Sequence, residues 1–319
     1  MSRIIGHARQ VEYFNKVLQK DKLAHAYFFY GAEGVGKFTL AKILAQTLCC
    51  PQKPKSLGDA CRECHDCRAI ESNLHPRVAV LDLEHTLVSK KDERSDIPID
   101  DIRELRRRFS IAAPSAQWRI AIINQADKMS TEAANAFLKL LEEPGENALF
   151  ILIAENREAV LPTILSRSQP VGFYPVADLE LRDGLKKEGL AADALDKIIF
   201  CAYGRPGRAR KFMEDSGQLA QEEKLIKEID LVFRQRDLSH LFMLTEETGQ
   251  DAELTARIAE LAFQALRSSL KKFAFERKEK ETRILTEKIK KTDRIFSLLE
   301  TTNVNSRLAL DALLLETIK

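Results

Sequence analysis

Residues Gly31 to Phe38 read GAEGVGKF, set between an apolar run, AYFFY, and a stretch of helical spacing, TLAKILAQTL. The pattern G-x-x-x-x-G-K-[ST] needs a strand to deliver the glycine turn and a helix to receive it. Backbone N–H groups of the turn and the helix N-terminus together cradle phosphate. The lysine adds positive charge and the next hydroxyl ligates Mg²⁺. Gly31, Gly36 and Lys37 fit, and Phe38 does not. Thr39 is no substitute for the missing hydroxyl, since one residue along a helix turns the side chain by about 100°. The same stretch also reads as a glycine turn with no nucleotide role.

The rest of the chain divides by periodicity. From Met1 to about Pro170, apolar strands (AYFFYG, VAVLDLE, IAIIN, LFILIA) alternate with helical stretches. That alternation predicts an α/β class fold, a parallel sheet with flanking helices. Over 171–217 strand signals cease and short amphipathic helices, broken at Gly204-Arg-Pro-Gly207, predict a small helical lid. From 218 to 319 the pattern is helical throughout, with no proline, and its apolar spacing predicts an all-α bundle that packs against partner subunits. The expected domains are therefore 1–170, 171–217 and 218–319.

Composition narrows the function classes. The 319 residues are 45% hydrophobic and 31% charged, enough for a core in each domain and a polar surface. A net charge of +2 argues against a protein that coats DNA. The basic run KKFAFERKEK (Lys271 to Lys280) is interleaved with glutamates and reads as a solvated helix face. The start MSRIIGHARQ lacks the apolar region of a signal peptide, and no window reaches the roughly 18 apolar residues of a membrane helix, so a cytoplasmic protein is expected.

Four of the six cysteines bring a second chemistry. Cys50, Cys61, Cys64 and Cys67 form two C-x-x-C pairs sharing a central cysteine, preceded by a gap rich in turn formers (Pro51, Pro54, Gly58). Four thiolates brought to one point suit tetrahedral Zn²⁺, and leave no open position for water, so such a zinc is structural. Free thiols or a redox pair are the other readings. Cys49 adjoins Cys50, and neighbours at a helix end point apart, so one of the two ligates. His65 lies inside the cluster and can replace a cysteine, though an exposed turn suits it better. Cys201, in IIFCAYG, reads as a small core residue.

Two further stretches bear on nucleotide chemistry. Trp118 to Asp127, WRIAIINQAD, is an apolar strand pattern ending in polar residues, where nucleotide hydrolases usually carry Asp-Glu to hold metal and orient water. Leu161 to Gln169, LPTILSRSQ, sets Arg167 between two serines; an arginine can neutralise charge on a neighbour's γ-phosphate, but S-R-S alone carries little information.

IIGH (Ile4 to His7), LAHAYFFYGAEGVGK (Leu23 to Lys37), NAFLKLLEEP (Asn135 to Pro144), ILSRS (Ile164 to Ser168) and NVNSRLALDALLL (Asn303 to Leu315) occur here in one order. Together they resemble the AAA+ modules of the bacterial DNA polymerase III clamp loader, over nearly the whole chain. The delta-prime family is favoured over the ATP-hydrolysing gamma/tau family by the NVN segment, by the length without a long tail, and by the altered catalytic positions.

The resemblance implies the following. The acidic positions of the hydrolase strand fall on Asn124 and Gln125, neutral amides that hold Mg²⁺ poorly; they also read as ordinary strand-end residues. Ala154 and Glu155 stand where motor subunits place a polar sensor. Arg208 occupies the region of a second sensor, or is a helix surface charge. The degenerate nucleotide site comprises Gly31, Gly34, Gly36, Lys37, Thr39 and Arg208, with Asn124 and Gln125, and ATP binding there is doubtful. The family's L-L-C pattern selects Cys50 as the fourth zinc ligand beside Cys61, Cys64 and Cys67. Arg167 corresponds to the SR[CS] arginine that acts in trans on a neighbour's ATP; Ser168 replaces the common Cys. The partners implied are gamma/tau and delta subunits in a five-subunit ring, the sliding clamp, and primed DNA through the complex, with no membrane. The chain is then a non-hydrolysing stator within a DNA polymerase holoenzyme; the alternative is an active, gamma/tau-like AAA+ ATPase.

Overall fold

The computed structural model describes residues 4–85, 87–88, 95–110, 117–187, 192–235, 254–255, 257–262, 266, 270, 276, 278–301 and 311–315. Most of the NVN segment (303–310) and of the 271–280 basic run lies outside the described residues.

Five parallel strands form one sheet: β1 (Ala26–Tyr30), β2 (Val78–Leu81), β3 (Arg119–Ile123), β4 (Ala148–Ala154) and β5 (Gln169–Gly172), in the order β2-β3-β4-β1-β5. The near-continuous apolar runs of the first four are what a parallel sheet demands, because helices cover both of its faces. Residues of β4 alternate accordingly. Phe150 and Leu152 enter one core with Phe28, Ile102, Leu105 and Phe137. Leu149, Ile151 and Ile153 enter the other with Phe14, Phe29, Leu40, Leu44 and Ile70. The first face is covered by α4 (Ile99–Ser110) and α5 (Thr131–Glu142), the second by α1 (Ala8–Gln19), α2 (Lys37–Cys49) and α3 (His65–Glu71).

The strand pattern predicts four strands, and β5 is a fifth. It is a short edge strand, with Pro170 opposite Phe28 and Gln169 opposite Tyr27. Proline is tolerated at an edge because one side of the strand donates to no neighbour, and two exposed residues in four hide the apolar alternation. It follows a short helix, α6 (Pro162–Leu165).

Past β5 come α7 (Asp178–Lys186), α8 (Ala192–Ala202) and α9 (Pro206–Glu214), all in the first of two compact units, Met1–Glu214. The second unit is Asp215–Lys319. Its described long helices are Ser216–Gln235 and Glu279–Thr301. Within it, a half-buried Arg257 bridges Glu222 and Glu260. No described helix is long and apolar enough to cross a membrane.

Candidate functional site

The phosphate loop joins β1 to α2, with Gly31, Gly34 and Gly36 all at positive φ (138°, 74° and 116°). A side chain at Gly31 would meet the Phe173 carbonyl at 2.2 Å, so that position is set by close packing as well as by backbone angle. The loop carbonyls are occupied from several directions. Lys37 Nζ donates to Gly31 O and, at 2.9 Å, to Ala32 O. The buried His7 shares a hydrogen bond with Val35 O at 2.7 Å. The Gly207 N–H, in the first turn of α9, donates to Gly34 O at 2.7 Å.

Lys37 is 6% exposed, and burial pushes its ammonium down to about 8 against the pull of Glu155, Asp127 and Glu33. Phe38, in place of the metal-binding hydroxyl, packs against the apolar core and carries Lys42 over its ring at 5.0 Å. Thr39 is half-buried on the next position of α2.

Helix α9 sits against this loop. The Cβ atoms of Arg205 and Arg208 lie within 3.7 and 3.5 Å of where a Gly34 side chain would begin, and Lys211 reaches Glu33 at 3.2 Å. Arg208 stacks over Phe212 at 5.3 Å. The buried Arg205, whose charge further depresses Lys37, is a loop neighbour that sequence reasoning missed.

At the end of β3, Asn124 is half-buried and its N–H donates to Leu81 O at 2.8 Å. Gln125 is exposed, at φ 59°, with Oε1 accepting weakly from the Leu83 N–H at 3.4 Å. Asp127, also missed, lies one turn on. Burial raises its pKa while Lys128 and Lys37 pull it down, and its Oδ1 is buried without a hydrogen-bond partner. Ala154 is buried and Glu155 exposed at the end of β4.

Arg167 is placed elsewhere. Arg167 lies in the turn between α6 and Gln169, the first residue of β5, which pairs with Tyr27. The loop begins at Gly31, past the opposite end of β1 and four residues, about 13 Å, beyond Tyr27 at about 3.3 Å per residue, so the turn and the loop lie at opposite ends of the sheet. Its guanidinium is 38% exposed and donates to Glu142 Oε1 (2.9 Å), Thr163 O (3.1 Å) and Ser166 Oγ (3.4 Å).

The thiol cluster caps the other end of α2. Cys50 is the C-cap of that helix, Cys64 the N-cap of α3, and Cys67 lies one turn into α3. The four Sγ atoms of Cys50, Cys61, Cys64 and Cys67 lie within 4.8 Å of one another, near enough to hold one metal ion. Cys50–Cys61 is 3.6 Å and Cys61–Cys67 is 3.9 Å. The edge of a tetrahedron with metal–sulfur bonds of about 2.3 Å is about 3.8 Å, so the donor set fits a tetrahedral thiolate ion. Backbone N–H groups of Cys64 and Glu63 pull the Cys61 thiol down to about 6, while burial pushes Cys64 and Cys67 up.

His65 is 86% exposed, and Cys49 and Cys201 are buried outside the cluster. Behind the cluster, Gln46 of α2 donates to Cys67 O at 3.1 Å. Asp66 accepts from His75 Nε2 at 3.2 Å, and the Arg77 N–H donates to Nδ1 of that ring, which fixes the neutral tautomer with its proton on Nε2.

A sequence profile of the family described as DNA polymerase III, delta subunit, matches residues 6–177. The chain is 32% identical over 174 residues to the DNA polymerase III subunit delta' of Bacillus subtilis, covering 54% of this chain and 49% of that one. With subunit delta' of Pseudomonas aeruginosa it shares 32% over 217 residues, 67% of this chain and 62% of the relative. With subunit gamma/tau of Mycobacterium bovis it shares 32% over 208 residues, 64% of this chain and 34% of the relative. The matches thus span between a third and just under two thirds of these relatives' own lengths.

Proposed function

The chain belongs to the DNA polymerase III delta-prime family of clamp-loader subunits, an AAA+ module on a parallel sheet, and from that premise we propose that it is a stator. In this reading it sits beside gamma/tau and delta subunits in the cytoplasm, hydrolyses no ATP itself, and offers Arg167 to a neighbour's γ-phosphate while the sliding clamp is loaded on primed DNA. The observation that carries the reading is the separation of its two charged ends. Arg167 is exposed at the end of the sheet opposite the chain's own phosphate loop, a placement that suits a nucleotide held by another subunit. The loop supports the other half of the reading. Phe38 is drawn into the apolar core, and Asn124 and Gln125 offer amides where the metal needs carboxylates.

The same reading takes residues 171–217 as the lid and 218–319 as the collar that holds the complex together. It assigns one structural Zn²⁺ to Cys50, Cys61, Cys64 and Cys67, whose closed thiolate set leaves no site for chemistry.

Asp127 favours the second reading, an active gamma/tau-like ATPase, because a carboxylate near Lys37 is a residual candidate for holding metal through water. ATP turnover by the purified chain, with primed DNA present, separates the two. The stator shows none above background, whereas turnover abolished by Lys37→Ala establishes the ATPase. In the complex reconstituted with gamma/tau and delta, Arg167→Ala is expected to lower DNA-stimulated hydrolysis by about 10³ or more without preventing assembly. An unchanged rate removes the finger assignment.

A further inference from the structure

The partner of Arg167 comes from a distant element. Glu142, 25 residues earlier, is the last residue of α5, and its Oε1 accepts from Arg167 Nη2 at 2.9 Å. The other contacts, to Thr163 O and Ser166 Oγ, both come from the same short turn and both fall on Nη1. A guanidinium tethered only at one nitrogen to its own turn keeps freedom to swing about that point. A second tether at the opposite nitrogen fixes the plane of the group.

Glu142 is built to supply that tether accurately. Ser130 caps the start of α5, and Phe137, Leu140 and Leu141 bury its inner face in the sheet core, so the carboxylate is carried on a rigid element. Yet the pair itself is half-exposed, 38% for the arginine and 51% for the glutamate, and pairs so exposed add little to folding. Its value lies in orientation. The three contacts engage three of the five guanidinium N–H groups, both of Nη1 and one of Nη2, and leave Nε–H and the second Nη2–H without a partner among the described residues.

We propose that Glu142 is a positioning residue for Arg167: it holds the guanidinium plane in the pose from which a neighbouring subunit's phosphate is met. This rests on the reading of Arg167 as a finger in trans. Glu142 touches no nucleotide and acts only through the arginine. An orientation held in advance saves the ordering entropy at the moment of reaction, and loss of about 1 Å in placement costs on the order of a hundredfold in rate.

The test uses the full chain reconstituted with gamma/tau and delta subunits, reading DNA-stimulated ATP hydrolysis as kcat and KM separately. Glu142→Ala is expected to lower kcat by about tenfold to a hundredfold, with KM and assembly unchanged. Glu142→Gln keeps an acceptor at the same place and is expected to hold kcat within about threefold of the parent. Adding Glu142→Ala to Arg167→Ala should cost nothing more, because the residue acts only through the arginine.

If Arg167→Ala slows hydrolysis and Glu142→Ala does not, the positioning role is wrong while the finger stands. A further loss in the double variant also overturns it. If Arg167→Ala itself has no effect, the finger reading has failed and this inference falls with it. Melting temperature, expected to be unchanged in both single variants, excludes unfolding as the cause; should Glu142→Ala melt early, Glu142→Gln and Glu142→Ser carry the same comparison.

Discussion

The phosphate loop and the thiol cluster stand at the two ends of one helix, α2, which begins at Lys37 and is capped by Cys50. They differ in what has been kept. The loop has the glycine backbone of the phosphate-binding pattern, with three glycines at positive φ, and carries Phe38 where that pattern takes a hydroxyl. The cluster holds all four of its side chains together on a loop with positive φ at Lys53, Gly58 and Arg62. A site whose recognition lies in main-chain N–H groups shares its glycines with packing, so the turn persists after the chemistry changes. A site whose recognition lies in four sulfurs has no such second use.

The comparison can be broken at either end, and the largest effect is expected at the cluster. Protein purified without chelator should carry one equivalent of zinc. Cys64→Ser should release it and lower the melting temperature by roughly 10 °C, since structural zinc is worth on the order of 10 kcal/mol in isolated peptides and less in a large domain. Elemental analysis finding no zinc removes that half of the contrast.

At the other end, Gly31→Ala should destabilise the chain by about 3 kcal/mol in denaturant unfolding, because it combines strained φ with an atom 2.2 Å from the Phe173 carbonyl. Gly58→Ala, in the cluster's long loop, meets nothing within 4 Å and should cost about 1 kcal/mol from its φ of 92°. Equal costs would mean that the loop glycines have no packing role.

Phe38→Thr should cost about 1–2 kcal/mol by removing a half-buried ring, and should not by itself give hydrolysis. Combined with Asn124→Asp and Gln125→Glu it should confer Mg²⁺-dependent binding of a fluorescent ATP analogue. Binding by the parent chain that does not respond to these changes would show that the loop never lost its ligand.

The smallest effect is electrostatic. Lys37 is shifted down, from 10.5 to about 8, so folding disfavours its charged form. Between those values the unfolded chain holds a proton that the folded chain has lost, and stability rises with pH, by about 1 kcal/mol over the first unit above 8. Lys37→Met should flatten that rise in chemical denaturation measured from pH 8 to 9.

What the sequence made legible was local. The glycine turn, the cysteine spacing and the serine-flanked arginine each occupy a few consecutive residues, and strands β1 to β4 are apolar runs bounded by turn formers. What escaped it depends on contacts across the fold. Arg205 reaches the phosphate loop because α9 packs on Gly34, and nothing in GRPGR distinguishes it from Arg208. Glu142 meets Arg167 only because α5 and α6 end on the same side of the sheet. Asp127 follows the strand by a turn, and without the 3-10 geometry of Ala126–Lys128 its carboxylate has no direction. Edge strand β5 was hidden for the opposite reason, that too little of it is buried to leave a pattern.

The parallel sheet gives the molecule a front and a back. All five strands run the same way, so a glycine loop at one end and an arginine at the other give each copy of this architecture a forward face and a rearward face. In the stator reading proposed above, subunits that pass an arginine to a neighbour join nose to tail, and a row of them that does not close has two unlike ends. In that reading, a member that gives an arginine but does not use one is expected at one terminus alone. There it would complete its neighbour's pocket and leave its own facing a gap, which would give the proposed row a direction and a place to open.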